Sequence, residues 1–420
     1  MDEQRNTRRE WLKRAGFGLA AGAVLLPACA IAQEKPGTSL SARDFGATGD
    51  GRTDDTQAAQ KAIDAALKAG GGCIHFPSGC YSIRKSLVIG SSDRVDITGD
   101  GFSSVLLHEV DEPLLLWPDK AACRESSVRN LSLVSSGKDK SKNTPVIACL
   151  GGAERSLFQN LLFKAEGCEM GGAVSVEKVM DTTTLDQCLL WGHIRGVGLR
   201  VAQGSEVRII GGRFIGAIDP YKAIGSGNVG VLLTGNNGGV HIIGTDIIGW
   251  ETCLQIGEPG GPSNREIFIT HATFDSSKHG VRQIDNAYTS IAGCWSASSD
   301  EDQILMEDTA EGAIMSVAGG TIFNGGAYGR PGAHNGMVVK AGSFTLSGVS
   351  IRNNKGTGLL VGEKARGYTV TGCRIHDNGT GAVLNGSDYA VTGCVFGGKQ
   401  RHLIDQGTGN KSVTANVVPA

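Results

Sequence analysis

Four ionisable residues near the middle of the sequence recur at matching positions and are able to exchange protons. Glu251, Lys278 and Asp300 each follow, by seven residues, the small residue of a short apolar motif, and His279 follows by eight. Two carboxyl groups with a cation between them suit general acid–base catalysis, because the positive charge lowers the pKa of one acid. We therefore predict that all four are catalytic. The alternative is a row of surface ion pairs, which contributes little to stability.

Four further residues of the same segment are suited to binding a ligand. Trp250 and Trp295 have flat apolar rings that stack on sugar rings when they are exposed. Asp275 and Arg282 lie on the same repeats and offer polar contacts. We predict that these four residues bind substrate. The structural alternatives are that the tryptophans cover the coil surface or a subunit interface, and that Asp275 caps a turn.

These residues belong to a repeated pattern that must position them. The motif apolar-x-small-x-x-apolar occurs thirteen times at intervals of 21 to 33 residues, beginning at residues 97, 128, 158, 185, 209, 242, 269, 291, 317, 346, 370, 391 and 413. Alternation inside each copy is typical of a strand with one buried face. A repeat that forms only short strands must stack on its neighbours to bury that face. No helical pattern separates the copies, so the sequence predicts an all-β parallel β-helix of about 13 coils.

Residues 1–32 form a separate segment that we assign to export. Arg8 and Arg9 precede a moderately apolar run at residues 15–26, and small residues favour cleavage after Ala32. This order of features is typical of a twin-arginine signal. An ordinary secretory signal, a membrane anchor or lipidation of Cys29 are the alternatives, although the apolar run is too short to span a bilayer as a stable helix. We expect the mature protein in the periplasm or outside the cell.

The mature sequence begins with a pattern that resembles a known superfamily. Asp54 is a candidate N-cap, and apolar residues at helical spacing predict a helix over about 54–69. The stretch DFGATGDGRTDDTQAAQKAIDAALKAGGGCIHFPSGCYSI resembles the start of the pectate-lyase-like, glycoside hydrolase family 28-related right-handed parallel β-helix proteins. The resemblance implies that this short helix caps the amino end of a right-handed β-helix and that Asp54 and Asp55 are structural rather than a calcium site. The expected divisions are an export signal at 1–32, a capping segment at 33–93 and the β-helix at 94–420.

A second, partial resemblance concerns the predicted catalytic residues. Polygalacturonases carry an acidic pair before a cysteine on one coil and Gly-His-Gly on the next. GWETCLQIG places Glu251 at the first acid and Thr252 at the second, and SKHGV places His279 at the histidine. The preceding Asn-Thr-Asp is replaced by GNVGV, with Val229 at the aspartate, and the following Arg-Ile-Lys is replaced by DQILM. These departures argue against family 28 polygalacturonase activity and leave open a glycosidase that uses other carboxylates.

Together these features predict an exported carbohydrate-active enzyme, most simply a glycoside hydrolase acting on a polysaccharide or oligosaccharide. An inverting glycosidase needs carboxyl groups about 6.5–9.5 Å apart. Glu251 and Asp300 lie two coils apart, which is roughly 9–10 Å between equivalent backbone positions. The first alternative is a polysaccharide lyase or uronate epimerase with Lys278, His279 or Arg282 as the base. The second is a non-catalytic sugar-binding or spike-like β-helix.

Composition limits the partners of the mature chain. Removing three acidic and five basic residues with the signal leaves 39 Asp+Glu and 35 Lys+Arg, a net charge of −4. This balance argues against nucleic acid binding. No further apolar segment is long enough to cross a membrane, and we expect neither a cofactor nor a metal site. The last motif copy, within residues 412–420, has no recognisable covering helix, so we expect a loop over this end or association of subunits, with a homotrimer as the favoured oligomer.

Ten cysteines follow the signal segment, and their placement favours free thiols. Four of them occupy the same position of the motif, which suggests a buried row of small, soft side chains; they are Cys188, Cys294, Cys373 and Cys394. Export in a folded state also favours reduced thiols. Cys73 and Cys80, which flank IHFPSG, are the one pair for which a disulfide is plausible.

Overall fold

The computed structural model describes residues 39–90, 92–217 and 227–418. This part of the chain is an all-β parallel β-solenoid of about 14 turns with one short α-helix near its amino end, which confirms the predicted fold class. One turn more than the motif count is present because the coil containing strands Gly72–Phe76 and Gly79–Ile83 lacks the motif. The predicted export signal at 1–32 lies outside the described residues.

Each complete turn has three short strands, and equivalent strands of successive turns pair in parallel register. We name the three stacks sheets 1, 2 and 3. Sheet 1 contains Ser39–Ser41, Gly72–Phe76, Val95–Gly99, Ser127–Ser136, Ser156–Glu166, Thr183–Asp186, Val207–Ile210, Val240–Ile243, Glu266–Thr270, Tyr288–Ala292, Ile314–Ala318, Asn335–Ser347, Thr369–Thr371, Ser387–Thr392 and Thr408–Thr414. Sheet 2 contains Asp50–Asp54, Gly79–Ile83, Ser104–His108, Leu189–Trp191, Arg213–Ile215, Asp246–Ile248, Thr273–Asp275, Trp295–Ala297, Thr321–Phe323, Ser350–Arg352, Arg374–Leu384 and Val395–Asp405. Sheet 3 contains Leu87–Val88, Leu115–Trp117, Pro145–Cys149, Gly172–Glu177, Val197–Ala202, Val229–Thr234, Thr252–Ile256, His279–Gln283, Asp302–Met306 and Thr357–Ala365.

Several long strands contribute to two sheets. Ser127–Ser136 and Ser156–Glu166 continue from sheet 1 into sheet 2. The first half of Asn335–Ser347 and the second halves of Arg374–Leu384 and Val395–Asp405 belong to sheet 3. A separate three-stranded parallel sheet contains Ser92–Asp93, Cys123–Arg124 and Ala153–Glu154.

The repeated motif forms the corner between sheets 1 and 2. In the copy at 291–296, Tyr288–Ala292 ends before the bend and Trp295–Ala297 begins after it. The small residue of the motif, here Gly293 with φ 61°, adopts the left-handed conformation that glycine tolerates without a steric penalty. The prediction of one strand per motif is therefore corrected to two strands with a bend. Twelve of the thirteen copies have a positive φ at this position, namely residues 130, 160, 187, 211, 244, 271, 293, 319, 348, 372, 393 and 415.

Beside this bend the predicted row of cysteines is present. All four are buried, as expected of small apolar side chains; they are Cys188, Cys294, Cys373 and Cys394. Every cysteine that the structure describes is a free thiol. Cys73 and Cys80 are among them, and they lie in strands of sheet 1 and sheet 2, respectively. The plausible disulfide between these two residues is not formed.

At the amino end, a 3₁₀ turn at Ala42–Phe45 precedes the α-helix. The helix has the bounds Thr56–Lys68, close to the predicted 54–69. Asp54 Oδ1 accepts a hydrogen bond of 3.0 Å from the Thr56 amide. Asp55 is buried and accepts bonds of 2.7 and 3.1 Å from the amides of Thr48 and Gly49. The N-cap residue is therefore Asp55 and not Asp54, and the Asp55 carboxylate binds the turn at 48–49 instead of the helix amides. Both acids are structural, as expected. The strand that follows the helix, Gly72–Phe76, is already part of the solenoid, because it pairs in parallel with Val95–Gly99 of the next turn.

The last described coil is open to solvent. Strand Thr408–Thr414 is mostly exposed, and Val417 is 60% exposed. Up to residue 418 no segment covers this end, so the expected loop is not seen among the described residues, and association of subunits stays a prediction. The α-helix is neither long nor apolar enough to be a candidate for a membrane span, and the described residues contain no other such candidate.

Candidate functional site

The predicted catalytic residues lie where three neighbouring coils pass from sheet 2 to sheet 3. The connecting turns, which we name the site turns, are residues 249–251, 276–278 and 298–301. They lead into strands Thr252–Ile256, His279–Gln283 and Asp302–Met306. The clustering of these residues on three adjacent coils is therefore as expected.

The third site turn has four residues, whereas the first two have three, and this changes the alignment. Thr252 pairs with His279, and Val281 with Ile304, so Glu251, Lys278 and Glu301 occupy equivalent positions. The prediction that Asp300 aligns with Glu251 and Lys278 is corrected accordingly. Lys278 Nζ lies 3.6 Å from Glu251 Oε1, so a loose ion pair does connect the first two of these residues.

Asp300 is buried and contacts Arg330 instead of Lys278 or Glu251. Its Oδ2 atom lies 2.6 Å from Nε of Arg330, which comes from the long connection between Thr321–Phe323 and Asn335–Ser347. Burial raises the pKa of Asp300, and the guanidinium group of Arg330 partly opposes that effect. The Asp300 carboxylate therefore anchors the connection that contains Arg330 to the coil of the third site turn, and it is too buried to contact a ligand.

The first residue of the strand after the third turn, Asp302, places a second acid opposite His279. His279 Nδ1 lies 3.7 Å from Asp302 Oδ2, and the two side chains are 13% and 12% exposed. Asn335 Nδ2 donates a hydrogen bond of 3.0 Å to Asp302 Oδ1. His279 Nδ1 is buried and has no hydrogen-bond partner.

The two groups have pKa values shifted in opposite directions. Burial, together with the charges of Arg282 and Lys278, lowers the pKa of His279 to about 4. Burial raises the pKa of Asp302 to about 6. At neutral pH the imidazole is therefore neutral and the carboxylate ionised. A neutral imidazole whose Nδ1–H faces a carboxylate keeps its lone pair on Nε2, which can then accept a proton.

Positive side chains surround this pair. Lys278, Arg282 and Lys340 all act on the imidazole of His279 through their charges. Glu307 binds two of them: Arg282 Nε donates to its Oε1 atom at 2.9 Å, and Lys340 Nζ to its Oε2 atom at 2.7 Å. The predicted residues Lys278 and Arg282 are thus brought close to the imidazole of His279, which is neutral at pH 7.

The two tryptophans predicted to bind substrate differ in their exposure. Trp250 is fully buried and its Nε1 donates a 2.9 Å hydrogen bond to the carbonyl of Phe214, so it presents no ring face to a sugar. Trp295 is 44% exposed and packs its ring edge-on against Phe323, with centroids 4.4 Å apart. Asp275 lies on the neighbouring strand of sheet 2, and burial raises its pKa. Trp295 and Asp275 therefore form a separate surface on sheet 2.

Four members of the site were not predicted from the sequence: Asp302, Asn335, Glu307 and Lys340. Asp302 lies in DEDQ, and allowance for a fourth residue in the third turn would have aligned it with His279. Asn335 and Lys340 follow a long connection whose path the motif spacing does not predict. Among the described residues, no three His, Cys, Asp or Glu side chains are grouped so that they could hold a metal ion.

Comparison with known proteins agrees with this fold. Residues 39–111 match the family model described as rhamnogalacturonase A/epimerase, pectate lyase-like. Alginate lyase 7 of Azotobacter vinelandii is 47% identical over 76 residues, and mannuronan C5-epimerase AlgE1 of the same organism is 41% identical over 77. These stretches are 16% and 17% of this chain and only 9% and 6% of the two relatives.

A solved structure extends the likeness to nearly the whole chain. The family 28 exopolygalacturonase of Yersinia enterocolitica aligns with a TM-score of 0.55, over 91% of this chain and 79% of that one. The sequence identity is 12%, so this likeness concerns the fold. The family model thus matches the amino-terminal residues 39–111, and the structural likeness extends the parallel β-helix fold over nearly the whole chain.

Proposed function

We propose that this protein is a carbohydrate-active enzyme that acts on a uronate-containing polysaccharide, with His279 as the base that removes the proton from C5. The observation that supports this most directly is the arrangement of a neutral imidazole, an ionised carboxylate behind it and three cations around it. The names of the matched relatives, an alginate lyase and a mannuronan C5-epimerase, point to the same class of substrate.

The chemistry of a uronate explains why these groups are needed. The proton on C5 is acidic only to the extent that the neighbouring carboxylate can accept the electron pair that remains. Lys278 and Arg282 are placed to neutralise that carboxylate, because both lie beside the imidazole. His279 Nε2 takes the proton, and Asp302 stabilises the imidazolium that forms. The electron pair then expels the glycosidic oxygen from C4, which takes up a proton from the imidazolium or from water, and an unsaturated sugar remains. Alternatively, C5 takes a proton from water on the other face, which inverts its configuration.

The test is a product screen on polyuronates and neutral polysaccharides. A lyase forms an unsaturated product that absorbs in the ultraviolet, whereas an epimerase in heavy water incorporates deuterium at C5 without that absorbance. We expect His279→Ala to abolish either signal while the unfolding temperature is retained. His241→Ala, a partly exposed histidine on sheet 1 that stacks on Phe268, is the matched control. A His279→Ala protein with the turnover of wild type would refute the proposal.

A glycoside hydrolase is the second proposal, and one observation favours it. Because the pKa of Asp302 is raised to about 6, this acid can donate a proton under mildly acidic conditions. Glu251 would then be the opposing carboxylate, two coils away, in place of the expected pair of Glu251 and Asp300. Hydrolysis would create reducing ends without ultraviolet absorbance. A protein that binds the polymer and gives no product of any kind would instead support a non-catalytic sugar-binding role.

A further inference from the structure

We propose that Lys355 and Lys399 form a binding subsite for the carboxylates of an anionic polysaccharide chain that extends from His279 toward the carboxy-terminal coils. The proposal deepens the proposed function and rests on it for the identity of the ligand. It concerns a part of the surface two or more coils away from the catalytic groups, where no catalytic role is proposed.

A continuous row of polar residues connects the two places. The residues at which successive coils enter sheet 3 lie in register, as shown by the pairs Asp302–Asn335, Thr357–Thr380 and Thr380–Arg401. Met337 pairs with Leu359, so Asn335, two residues before Met337, is level with Thr357. Successive coils are separated by about 4.8 Å. The row therefore passes from the base to a cation in five steps: His279, Asp302, Asn335, Thr357, Thr380 and Arg401.

Beside this row lies a shallow cavity with a rigid floor. Its volume is about 360 Å³, and its lining includes Lys355, Gly379 and Lys399. Gly379 lies on the coil between the two lysines, where a Cβ atom would be 2.3 Å from the carbonyl oxygen of Lys355. Glycine is therefore required here by the close approach of the two coils, which holds the backbone of Lys355 against the next coil. Beneath the lysines, Asn354 Nδ2 donates a 2.9 Å hydrogen bond to Asn378 Oδ1, which fixes the two coils relative to each other.

The two lysines are available to an external anion. Both are exposed, and neither forms an ion pair with any residue in the described ranges. Asp377, on the intervening coil, has its carboxylate 2.6 Å from His376 Nδ1. Lys355 and Lys399 lie two coils apart, which is roughly 10 Å along the axis. Two ammonium groups at this spacing can contact two carboxylates of one extended chain.

The charge of this region supports the same partner. Residues 340–420 contain nine Lys and Arg and four Asp and Glu, a net charge of +5, whereas the whole chain has a net charge of −2. The remaining residues 1–339 therefore carry a net charge of −7. A net positive carboxy-terminal region a few coils from the proposed base would attract and orient a polyanion.

The test measures binding separately from turnover. A hexamer of mannuronate is titrated into His279→Ala protein, which binds without converting it, and into the same protein with Lys355→Met and Lys399→Met added. Since an exposed ion pair contributes up to about 1 kcal/mol, we expect the double change to weaken binding on the order of 5- to 10-fold. The difference should vanish near 1 M salt, where charges are screened within about 3 Å. Lys61→Met with Lys85→Met, two exposed lysines at the amino end, removes the same charge and should leave binding unchanged.

The outcomes separate this proposal from the proposed function. In an otherwise wild-type chain, the two changes should raise KM and leave kcat unchanged. Equal affinity of the Lys355→Met/Lys399→Met protein and its parent would overturn the subsite, even if His279 proves catalytic. Equal weakening by Lys61→Met/Lys85→Met would also overturn it, because net charge alone would then explain the effect. Lysine-dependent binding by a protein that never turns over a uronate would support the subsite and reject the proposed function.

Discussion

His279 Nδ1 and Asp302 Oδ2 lie 3.7 Å apart on neighbouring coils, beyond the range of a hydrogen bond. The remaining gap is roughly 0.5 Å, a distance that side chains of an unliganded site close when substrate binds. Asp302 is already oriented by Asn335 through its other oxygen. The pair therefore resembles the base and orienting carboxylate of many acid–base sites, with the carboxylate acting through the imidazole rather than on the substrate.

Asp302→Asn tests this relationship through the pH dependence of turnover. In the wild type, the rate should rise with pH through about 6, because deprotonation of Asp302 provides the charge that stabilises the imidazolium. The variant should lose at least about 10²-fold in kcat. Its acidic limb should move down toward about 4, the pKa of His279.

The direction of the wild-type profile also separates the two proposed reactions. A hydrolase that uses protonated Asp302 as its acid loses activity as pH rises through about 6, the opposite of the expectation for a base at His279. Circular dichroism of the variant is the control for folding. An Asp302→Asn enzyme with an unchanged rate and profile would remove Asp302 from the mechanism.

The buried pair of Asp300 and Arg330 should matter for stability rather than for chemistry. Arg330→Met leaves the Asp300 carboxylate buried without its partner, for which a loss of about 3–5 kcal/mol in the free energy of unfolding is expected. Asp300→Asn combined with Arg330→Met should recover part of that loss. The measurement is denaturant unfolding. Lys364→Met, which breaks an exposed ion pair with Glu311, should change stability by less than about 1 kcal/mol.

Measuring the turnover of an Asp300 variant shows whether this residue, besides its role in stability, also has a role in catalysis. Asp300→Asn alone keeps the shape of the side chain, so a folded variant should retain most of its activity. A loss of about 10²-fold or more in the folded Asp300→Asn protein would return Asp300 to the catalytic residues expected from the sequence.

The fold was predictable because its two strongest signals are local. The spacing of the motif predicts the length of each coil, and the segment around Asp54 and Asp55 predicts the capping helix. The motif owes its regularity to the left-handed bend between sheets 1 and 2, which selects glycine or asparagine in most copies. Such a conformational requirement acts on each copy independently and can therefore be recognised without knowledge of the tertiary structure.

The site was only partly predictable, because it depends on turn lengths and on one long connection. Glu251, Lys278 and His279 follow turns of constant length, so their alignment by counting is correct. One added residue in the next turn moves Asp300 out of the row and brings Asp302 to the position beside His279. Side-chain orientation within a turn has no periodic signal, and this is why the burial of Trp250 could not be anticipated.

Export is the prediction that concerns the amino-terminal segment. Replacing Arg8 and Arg9 by lysine keeps the charge and removes the guanidinium pair that the twin-arginine system recognises. We expect the double variant to accumulate in the cytoplasm, as measured by cell fractionation. Lys13→Arg, which alters a neighbouring basic residue, should be exported normally. Unchanged export of the Arg8→Lys/Arg9→Lys protein would reject this route and favour an ordinary secretory signal.

Trp295 is expected to contribute to polysaccharide binding through a rigid exposed ring. The edge-on contact with Phe323 holds the indole in one orientation. A ring fixed in advance loses little entropy when a sugar stacks on it. Trp295→Ala should therefore weaken binding of an oligosaccharide by roughly 2- to 10-fold, if stacking contributes about 0.5–1.5 kcal/mol. Calorimetric titration measures the change.

Two further substitutions show whether the ring itself is responsible. Trp295→Phe keeps a smaller aromatic face, so it should bind more tightly than Trp295→Ala and more weakly than wild type. Trp250→Ala, at a fully buried position, should cost about 3–5 kcal/mol of stability. Stability should be nearly unchanged in Trp295→Ala, because much of that ring is already in solvent. If Trp295→Ala binds oligosaccharide as well as wild type does, the exposed ring on sheet 2 is not part of the binding surface, and the ligand contacts are confined to the side of the site turns that contains His279.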